Sequence, residues 1–140
     1  MIIYLDTSSL VKLYIDEPHS DFVRRWAEEA EILATCRVAF PEMISAANRR
    51  LRHGDISKND YKRMKARFLK DWDRFSVIDF DEHTAAALVE KYGLRGFDGV
   101  HLASAWLLKE NRNDLSLAFS SFDDKLNEAA LREGFTVLFP

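Results

Sequence analysis

Short apolar runs alternate with longer helical patterns along the whole of this 140-residue chain. Apolar runs of this kind are typical of strands buried on both faces of a parallel sheet. They predict strands over residues 2–5, 31–35, 76–80, 115–119 and 136–139. Between them, apolar residues spaced three and four apart predict seven helices. The first carries Leu10 to Tyr14 and the third starts at Pro41; the others span residues 22–30, 58–75, 83–92, 99–108 and 125–132. This alternation predicts right-handed crossovers and a three-layer α/β/α fold around a central parallel sheet of about five strands.

The clearest helical stripe lies in the predicted helix 58–75. Its apolar residues are spaced by three and four positions, and basic residues fill much of the remaining surface. The stripe favours core packing, as in a helical hairpin with the preceding helix, over a cofactor pocket, and an interface with a second copy of the chain stays open. Its members are Tyr61, Met64, Phe68, Trp72 and Phe75.

Length and composition predict one soluble domain spanning residues 1–140. The chain is 47% hydrophobic and 31% charged, as in ordinary globular proteins, and lacks an apolar run near the ~20 residues of a membrane span. Met1 leads directly into a strand-like segment without the pattern of a secretory signal, so we expect a cytoplasmic protein without a membrane partner. The single cysteine, Cys36, is expected to be a small buried residue.

Four acidic residues lie at ends of predicted strands or beginnings of predicted helices. In a parallel sheet these places gather at one edge, so the four carboxylates are predicted to meet. Two charges about 4 Å apart repel by roughly 4 kcal/mol at an effective dielectric of about 20, so such a group requires a bound cation or protonation. The sequence therefore predicts a metal site formed by Asp6, Glu42, Asp98 and Asp123.

Each acid also has a purely structural interpretation. Asp6 and Asp98 are candidates for helix N-caps, and Glu42 for an acid that favours the positive end of a helix dipole. Asp123 is a candidate first-turn acid behind a capping box formed by Ser121 and Asp124. The occurrence of an acid at four matching places favours the metal site, and capping is compatible with metal ligation.

Carboxylate ligands without clustered Cys or His favour a hard cation, chiefly Mg²⁺, with Mn²⁺ as a substitute. Such a site suits hydrolysis of a phosphodiester by an activated water. Three hydroxyls are candidates to orient that water or an acid, although turn or cap roles are equally open: Thr7, Ser8 and Ser121. His101 is either a further ligand or, as the more ordinary interpretation, a partly buried structural histidine.

The basic residues are concentrated in one segment although the net charge is −3. Residues 49–70 contain nine Lys and Arg against Asp55 and Asp60. This segment predicts either contacts to a phosphate backbone or a solvated helical face. The candidate residues for such phosphate contacts are Arg49, Arg52, Lys58, Lys62 and Lys65.

Four segments together resemble the PIN-domain ribonucleases, and more closely the VapC toxins of toxin-antitoxin pairs. They are Tyr4-Leu-Asp-Thr-Ser-Ser-Leu-Val-Lys-Leu-Tyr14, Glu42 at the start of the third helix, Phe97-Asp-Gly-Val-His-Leu-Ala-Ser-Ala105 and Ser121-Phe-Asp-Asp-Lys-Leu126. The resemblance extends over essentially the whole chain. It implies that Asp6, Glu42, Asp98 and Asp123 are the metal-binding catalytic acids, with Ser121 at the usual hydroxyl position.

The same resemblance implies Mg²⁺-dependent endonucleolytic cleavage of a structured RNA of translation. It also implies a homodimer and a small antitoxin that covers the acidic cleft, often with a basic side chain. Two features depart from the family pattern: Pro41, which is expected to rotate the Glu42 carboxylate, and Gly99, which replaces a better helix former. Asp124 is an alternative to its neighbour Asp123.

Two other functions fit parts of the pattern. A PIN-like binding module would keep the fold and a protein partner but not cleave RNA. A phospho-receiver domain would accept phosphate on Asp79 or Asp81 near the third strand, but it would leave Asp98 and Asp123 without a role.

Overall fold

Five strands form one fully parallel sheet within residues 1–112 and 114–140, which are the residues that the computed structural model describes. The strand order is β3-β2-β1-β4-β5, and all neighbouring strands are parallel. The order reverses at β1, which is where a site is expected in a doubly wound sheet. The strands are β1 (Ile2–Leu5), β2 (Ile32–Cys36), β3 (Ser76–Ile78), β4 (Leu117–Ser120) and β5 (Thr136–Val137).

Helices cover both faces of the sheet, which confirms the predicted three-layer fold. Alternate residues of β1 face opposite cores: Ile2 and Tyr4 lie in one buried cluster, and Ile3 and Leu5 in the other. Helices α1 to α4 contribute to the second cluster and α5 to α7 to the first. The helices are α1 (Thr7–Tyr14), α2 (Ser20–Glu29), α3 (Ala39–Arg52), α4 (Lys58–Asp71), α5 (Glu82–Tyr92), α6 (Gly96–Asn111) and α7 (Asp124–Arg132).

The apolar stripe of α4 belongs to the core. Met64, Phe68 and Phe75 are buried in the cluster beneath β1, and Tyr61 and Trp72 pack against it. The helix ends earlier than predicted, at Asp71, and a short 3₁₀ turn, Trp72–Arg74, leads into β3. Cys36 is also fully buried, as expected.

Two predicted helix starts are wrong by two or three residues. Helix α3 begins at Ala39, so Pro41 is its third residue rather than its first. This costs no hydrogen bond, because the first backbone N–H groups of a helix have no partner within it. Helix α6 begins at Gly96, so Asp98 lies inside its first turn and is not its N-cap. Glu42 lies in the first turn of α3, as predicted.

Gly99 brings α6 close to α5. A Cβ atom at this position would clash with the Val89 side chain and lie 3.0 Å from the backbone oxygen of Ala85. Gly99 therefore has a packing reason: without a side chain it permits the close approach of α6 to α5.

No helix in the described part of the chain is both long and apolar enough to cross a membrane.

Candidate active site

The four predicted acids line one cleft beside the carboxyl end of β1. The cleft has a volume of about 860 Å³ and is bordered by residues from α1, α3 and the first turn of α6. We call this space the acidic cleft. Its lining includes Asp6, Thr7, Ser8, Glu42, Arg49, Arg95, Phe97, Asp98, His101, Phe122 and Asp123.

Asp6 is the most deeply placed acid and is held by three donors. It follows β1 directly and caps α1, where its Oδ1 accepts hydrogen bonds from the Ser9 backbone N–H at 3.0 Å and the Ser8 hydroxyl at 2.7 Å. Its Oδ2 accepts from the Ser121 hydroxyl at 2.6 Å. Burial raises the pKa of Asp6 above its usual value, although His101 and these donors act in the opposite direction. The Asp6 carboxylate thus both caps α1 and lines the acidic cleft.

Glu42 is positioned by a buried chain of polar side chains. Thr7 donates to its Oε1 at 2.8 Å, and the same oxygen lies 2.8 Å from Nε2 of His101. The other ring nitrogen, Nδ1, lies 2.8 Å from the Tyr4 hydroxyl. Because a carboxylate only accepts, Nε2 carries a proton and donates to Glu42. Burial raises the pKa of Glu42, but the His101 and Thr7 contacts outweigh it, so the pKa lies below its usual value.

His101 therefore has a structural role. It is 1% exposed, and both ring nitrogens have protein partners. The structure confirms the more ordinary of the two sequence interpretations, with deeper burial than predicted. Its polar chain orients Glu42 from the core side.

Asp98 and Asp123 share one arginine that the sequence interpretation missed. Nε of Arg95 donates to Oδ2 of Asp98 at 3.1 Å, and one terminal nitrogen donates to Oδ2 of Asp123 at 3.2 Å. The hydrogen bond and charge of Asp98, followed by the charge of Asp123, raise the pKa of Arg95. The signal in the sequence was the spacing of three between Arg95 and Asp98 at a helix start, which places both on one side of α6.

Asp123, not Asp124, faces the acidic cleft. It is the N-cap of α7, with its Oδ1 accepting from the Leu126 backbone N–H at 2.9 Å. The predicted Ser121–Asp124 capping box is wrong: Ser121 instead accepts from the Asp123 backbone N–H at 3.0 Å and donates to Asp6. The loop after β4 thus places the Ser121 hydroxyl on Asp6 and the Asp123 side chain in the same cleft.

The donor set of the acidic cleft suits a hard cation, since its ligand atoms are carboxylate and hydroxyl oxygens. Among the described residues, however, no three His, Cys, Asp or Glu side chains converge closely enough to hold a metal ion. Asp98 and Asp123 are instead paired with Arg95. The oxygen chemistry of these side chains fits Mg²⁺ or Mn²⁺, but the described side chains as they stand do not form a closed ligand set.

Of the candidate RNA-binding residues, Arg49 borders the acidic cleft. The other four lie on exposed surface of α3 and α4 outside the cleft lining: Arg52, Lys58, Lys62 and Lys65. An exposed aromatic ring also borders the cleft, since the Phe97 side chain is 59% exposed. Sequence reasoning did not select Phe97, although its place directly before Asp98 was a usable signal.

The phospho-receiver interpretation is wrong. Asp79 follows the edge strand β3 and pairs with Arg37 at 2.9 Å. Asp81 is the N-cap of α5, where it accepts from Thr84. Both residues lie outside the acidic cleft lining.

Comparison with known proteins agrees with this geometry. The model of the PIN domain matches residues 3–131. Ribonuclease VapC46 of Mycobacterium tuberculosis is 31% identical over 140 residues, which cover 99% of this chain and 97% of the relative.

Two crystal structures show the same fold at low identity. FitAcB from Neisseria gonorrhoeae has a TM-score of 0.68 at 18% identity and covers 99% of this chain and 97% of that one. VapC20 of Mycobacterium tuberculosis, described as a toxin that cleaves the sarcin-ricin loop, has a TM-score of 0.61 at 16% identity, with 99% of each chain covered. With its fold, its acidic cleft and these relatives, the chain belongs to the PIN domain family, among the VapC-type proteins.

Proposed function

We propose that this protein is a Mg²⁺-dependent endoribonuclease, the toxin of a type II toxin-antitoxin pair, which cleaves a structured RNA of translation. The observation that carries the proposal is the gathering of Asp6, Glu42, Asp98 and Asp123 around one cleft. Relatives that bear the name Ribonuclease VapC support the ribonuclease class, and VapC20, described as a sarcin-ricin loop cleaving toxin, supports the substrate class.

The carboxylates of the cleft would hold the metal, with Mn²⁺ as a substitute for Mg²⁺. Bound metal supplies charge neutralisation at the scissile phosphate and acidifies the attacking water. Ser121 and Ser8 orient the Asp6 carboxylate and favour its ionised form against the effect of burial. His101 and Thr7 do the same for Glu42. Arg49 contributes positive charge for the RNA backbone at the rim.

The proposal includes two protein partners implied by the family. One is a small cognate antitoxin that covers the acidic cleft with a basic side chain. The other is a second copy of the chain, which forms a homodimer. Charge complementarity between a cationic side chain and the acidic cleft supports the antitoxin contact.

The test is cleavage of total cellular RNA by the purified protein with Mg²⁺, with EDTA, and with the Asp98→Asn variant, followed by mapping of new 5′ ends. We expect discrete cuts only for the wild type with metal. Equal cutting by D98N, or cutting in EDTA, would refute the metal-dependent mechanism.

The second candidate is a PIN-like binding module that does not cleave. Its support is the pairing of Asp98 and Asp123 with Arg95 in a cleft where no three acidic or histidine side chains of the described residues converge. The Asp6→Asn variant distinguishes the two: loss of metal-dependent cleavage in D6N excludes the binding module, whereas absence of cleavage in the wild type favours it.

A further inference from the structure

Arg95 occupies one oxygen atom of each of two predicted metal-binding acids. Its guanidinium bonds Oδ2 of Asp98 and Oδ2 of Asp123 at the same time. The other oxygen of Asp123, Oδ1, is used as the N-cap acceptor of α7. Oδ2 is therefore the oxygen of Asp123 that remains for a ligand, and the guanidinium is bound to it.

The hold of Arg95 on the two acids is weak enough to be displaced. Its side chain is 79% exposed, and exposed ion pairs are held loosely because water and salt screen them. The two acids are less exposed, at 16% for Asp98 and 31% for Asp123. The carboxylates are thus more enclosed by the fold than the arginine, whose side chain lies largely in solvent.

We propose that Arg95 is an internal competitor of the metal: its guanidinium binds both Asp98 and Asp123 in the metal-free protein and leaves them when Mg²⁺ binds. This inference rests on the proposed function, in which those two acids hold the metal. Arg95 is then a regulatory residue that sets the cation concentration at which the site fills. Once displaced, its guanidinium stands at the rim of the acidic cleft, where an RNA phosphate is the next available anion.

The chain offers two matched controls for removing this arginine. Arg37 also uses Nε to bind an aspartate, Asp79, at 2.9 Å, and its side chain is 64% exposed, but the pair lies outside the acidic cleft. Arg49 borders the same cleft and, among the described residues, forms no ion pair with its acids. R49Q therefore measures the effect of one lost charge in the cleft without the loss of direct contacts.

The experiment is titration calorimetry of the intact protein with MgCl₂ at low salt, for wild type, Arg95→Gln, Arg95→Lys, R37Q and R49Q. Loss of two exposed pairs is expected to lower the Mg²⁺ dissociation constant of R95Q by roughly two- to thirtyfold. R95K, which keeps the charge but cannot bridge both acids, should fall between R95Q and wild type. The Mg²⁺ dissociation constant of R37Q should equal that of wild type, and that of R49Q should fall by less than that of R95Q.

A second readout follows the arginine itself. In the wild type, the Nε–H resonance of Arg95 is expected to shift and to exchange faster with water as MgCl₂ is added, because Asp98 no longer accepts from it. An R95Q affinity equal to or weaker than that of wild type, or no tighter than that of R49Q, would overturn the inference. So would an Arg95 resonance that MgCl₂ leaves unchanged.

The Asp98→Asn variant separates this inference from the proposed function. Suppose that wild type binds Mg²⁺, that D98N does not, and that R95Q binds Mg²⁺ with the affinity of wild type. The metal site then stands, and only the competitor role of Arg95 is refuted. Absence of Mg²⁺ binding in both wild type and R95Q refutes both.

Discussion

Ser121 donates a 2.6 Å hydrogen bond to Oδ2 of Asp6, between two residues that lie 115 positions apart in the sequence. The bond joins the loop after β4 to the end of β1, which are neighbouring strands of the sheet. It also leaves the buried Asp6 carboxylate with a donor on each oxygen. These donors favour the ionised carboxylate and so oppose burial, which still raises the pKa of Asp6 overall.

Removal of the Ser121 hydroxyl should weaken metal binding without unfolding the protein. Hydrogen bonds to charged groups contribute roughly 1.5–3 kcal/mol, so Ser121→Ala is expected to raise the Mg²⁺ dissociation constant about tenfold or more. Calorimetric titration measures this. The control is Ser45→Ala, at an exposed position of α3. Unchanged affinity in S121A would show that Asp6 does not depend on this donor.

A methyl group at Gly99 should destabilise the fold. The added Cβ meets Val89 and lies 3.0 Å from the Ala85 oxygen, and overpacking of this kind costs about 1–3 kcal/mol. The better helix propensity of alanine returns up to about 1 kcal/mol. We therefore expect a net loss in Gly99→Ala, measured as the free energy of unfolding in urea.

Gly96 is the matched control for that substitution, because it lies in the same helix and a Cβ there would meet no atom within 4 Å. Gly96→Ala should be neutral or slightly stabilising. Equal stability of G99A and G96A would refute the close-packing role of Gly99.

The Phe97 ring should stack on a base of the bound RNA. It is 59% exposed and stands at the acidic cleft beside Asp98. Stacking of one base on an aromatic ring is worth roughly 1–3 kcal/mol, so Phe97→Ala should weaken binding of a fluorescein-labelled, mixed-sequence 20-nucleotide RNA in EDTA about fivefold or more. Fluorescence anisotropy measures the affinity.

Phe139→Ala provides the comparison, since Phe139 is 57% exposed but lies outside the cleft lining. Its RNA affinity should equal that of wild type. A similar loss in both variants would indicate a non-specific effect of exposed apolar surface.

Among the candidate RNA-binding residues, Arg49 should contribute more than Lys62. Arg49 borders the acidic cleft, whereas Lys62 lies on exposed α4 surface outside it. Loss of one phosphate contact to single-stranded nucleic acid reduces the slope of log affinity against log salt by about 0.7. Arg49→Gln should show this change in anisotropy titrations between low and moderate salt, and Lys62→Gln should not. If both variants reduce the slope equally, the RNA contacts extend over the whole basic segment.

The sequence determined the fold and the identity of the acids, because both depend on local patterns. Alternating apolar runs predicted all five strands, and the acids stand where strands end or helices begin, which holds for Asp6 after β1 and Glu42 in α3. Boundaries were less accurate. At Asp98 the sequence missed the true helix start because Arg95, the N-cap of α6, makes no side-chain capping bond that would mark it.

Only the tertiary structure decided the partners of those acids. Ser121 reaches Asp6, His101 reaches Glu42, and Arg95 spans Asp98 and Asp123. Apart from the Arg95–Asp98 contact, which spans three positions, these contacts join residues far apart in the chain. Their geometry follows from strand order and helix packing, which local periodicity does not encode. The residue types that could ligate a metal were visible in the sequence, but the contact of Arg95 with both Asp98 and Asp123 arises from how the tertiary structure brings these residues together.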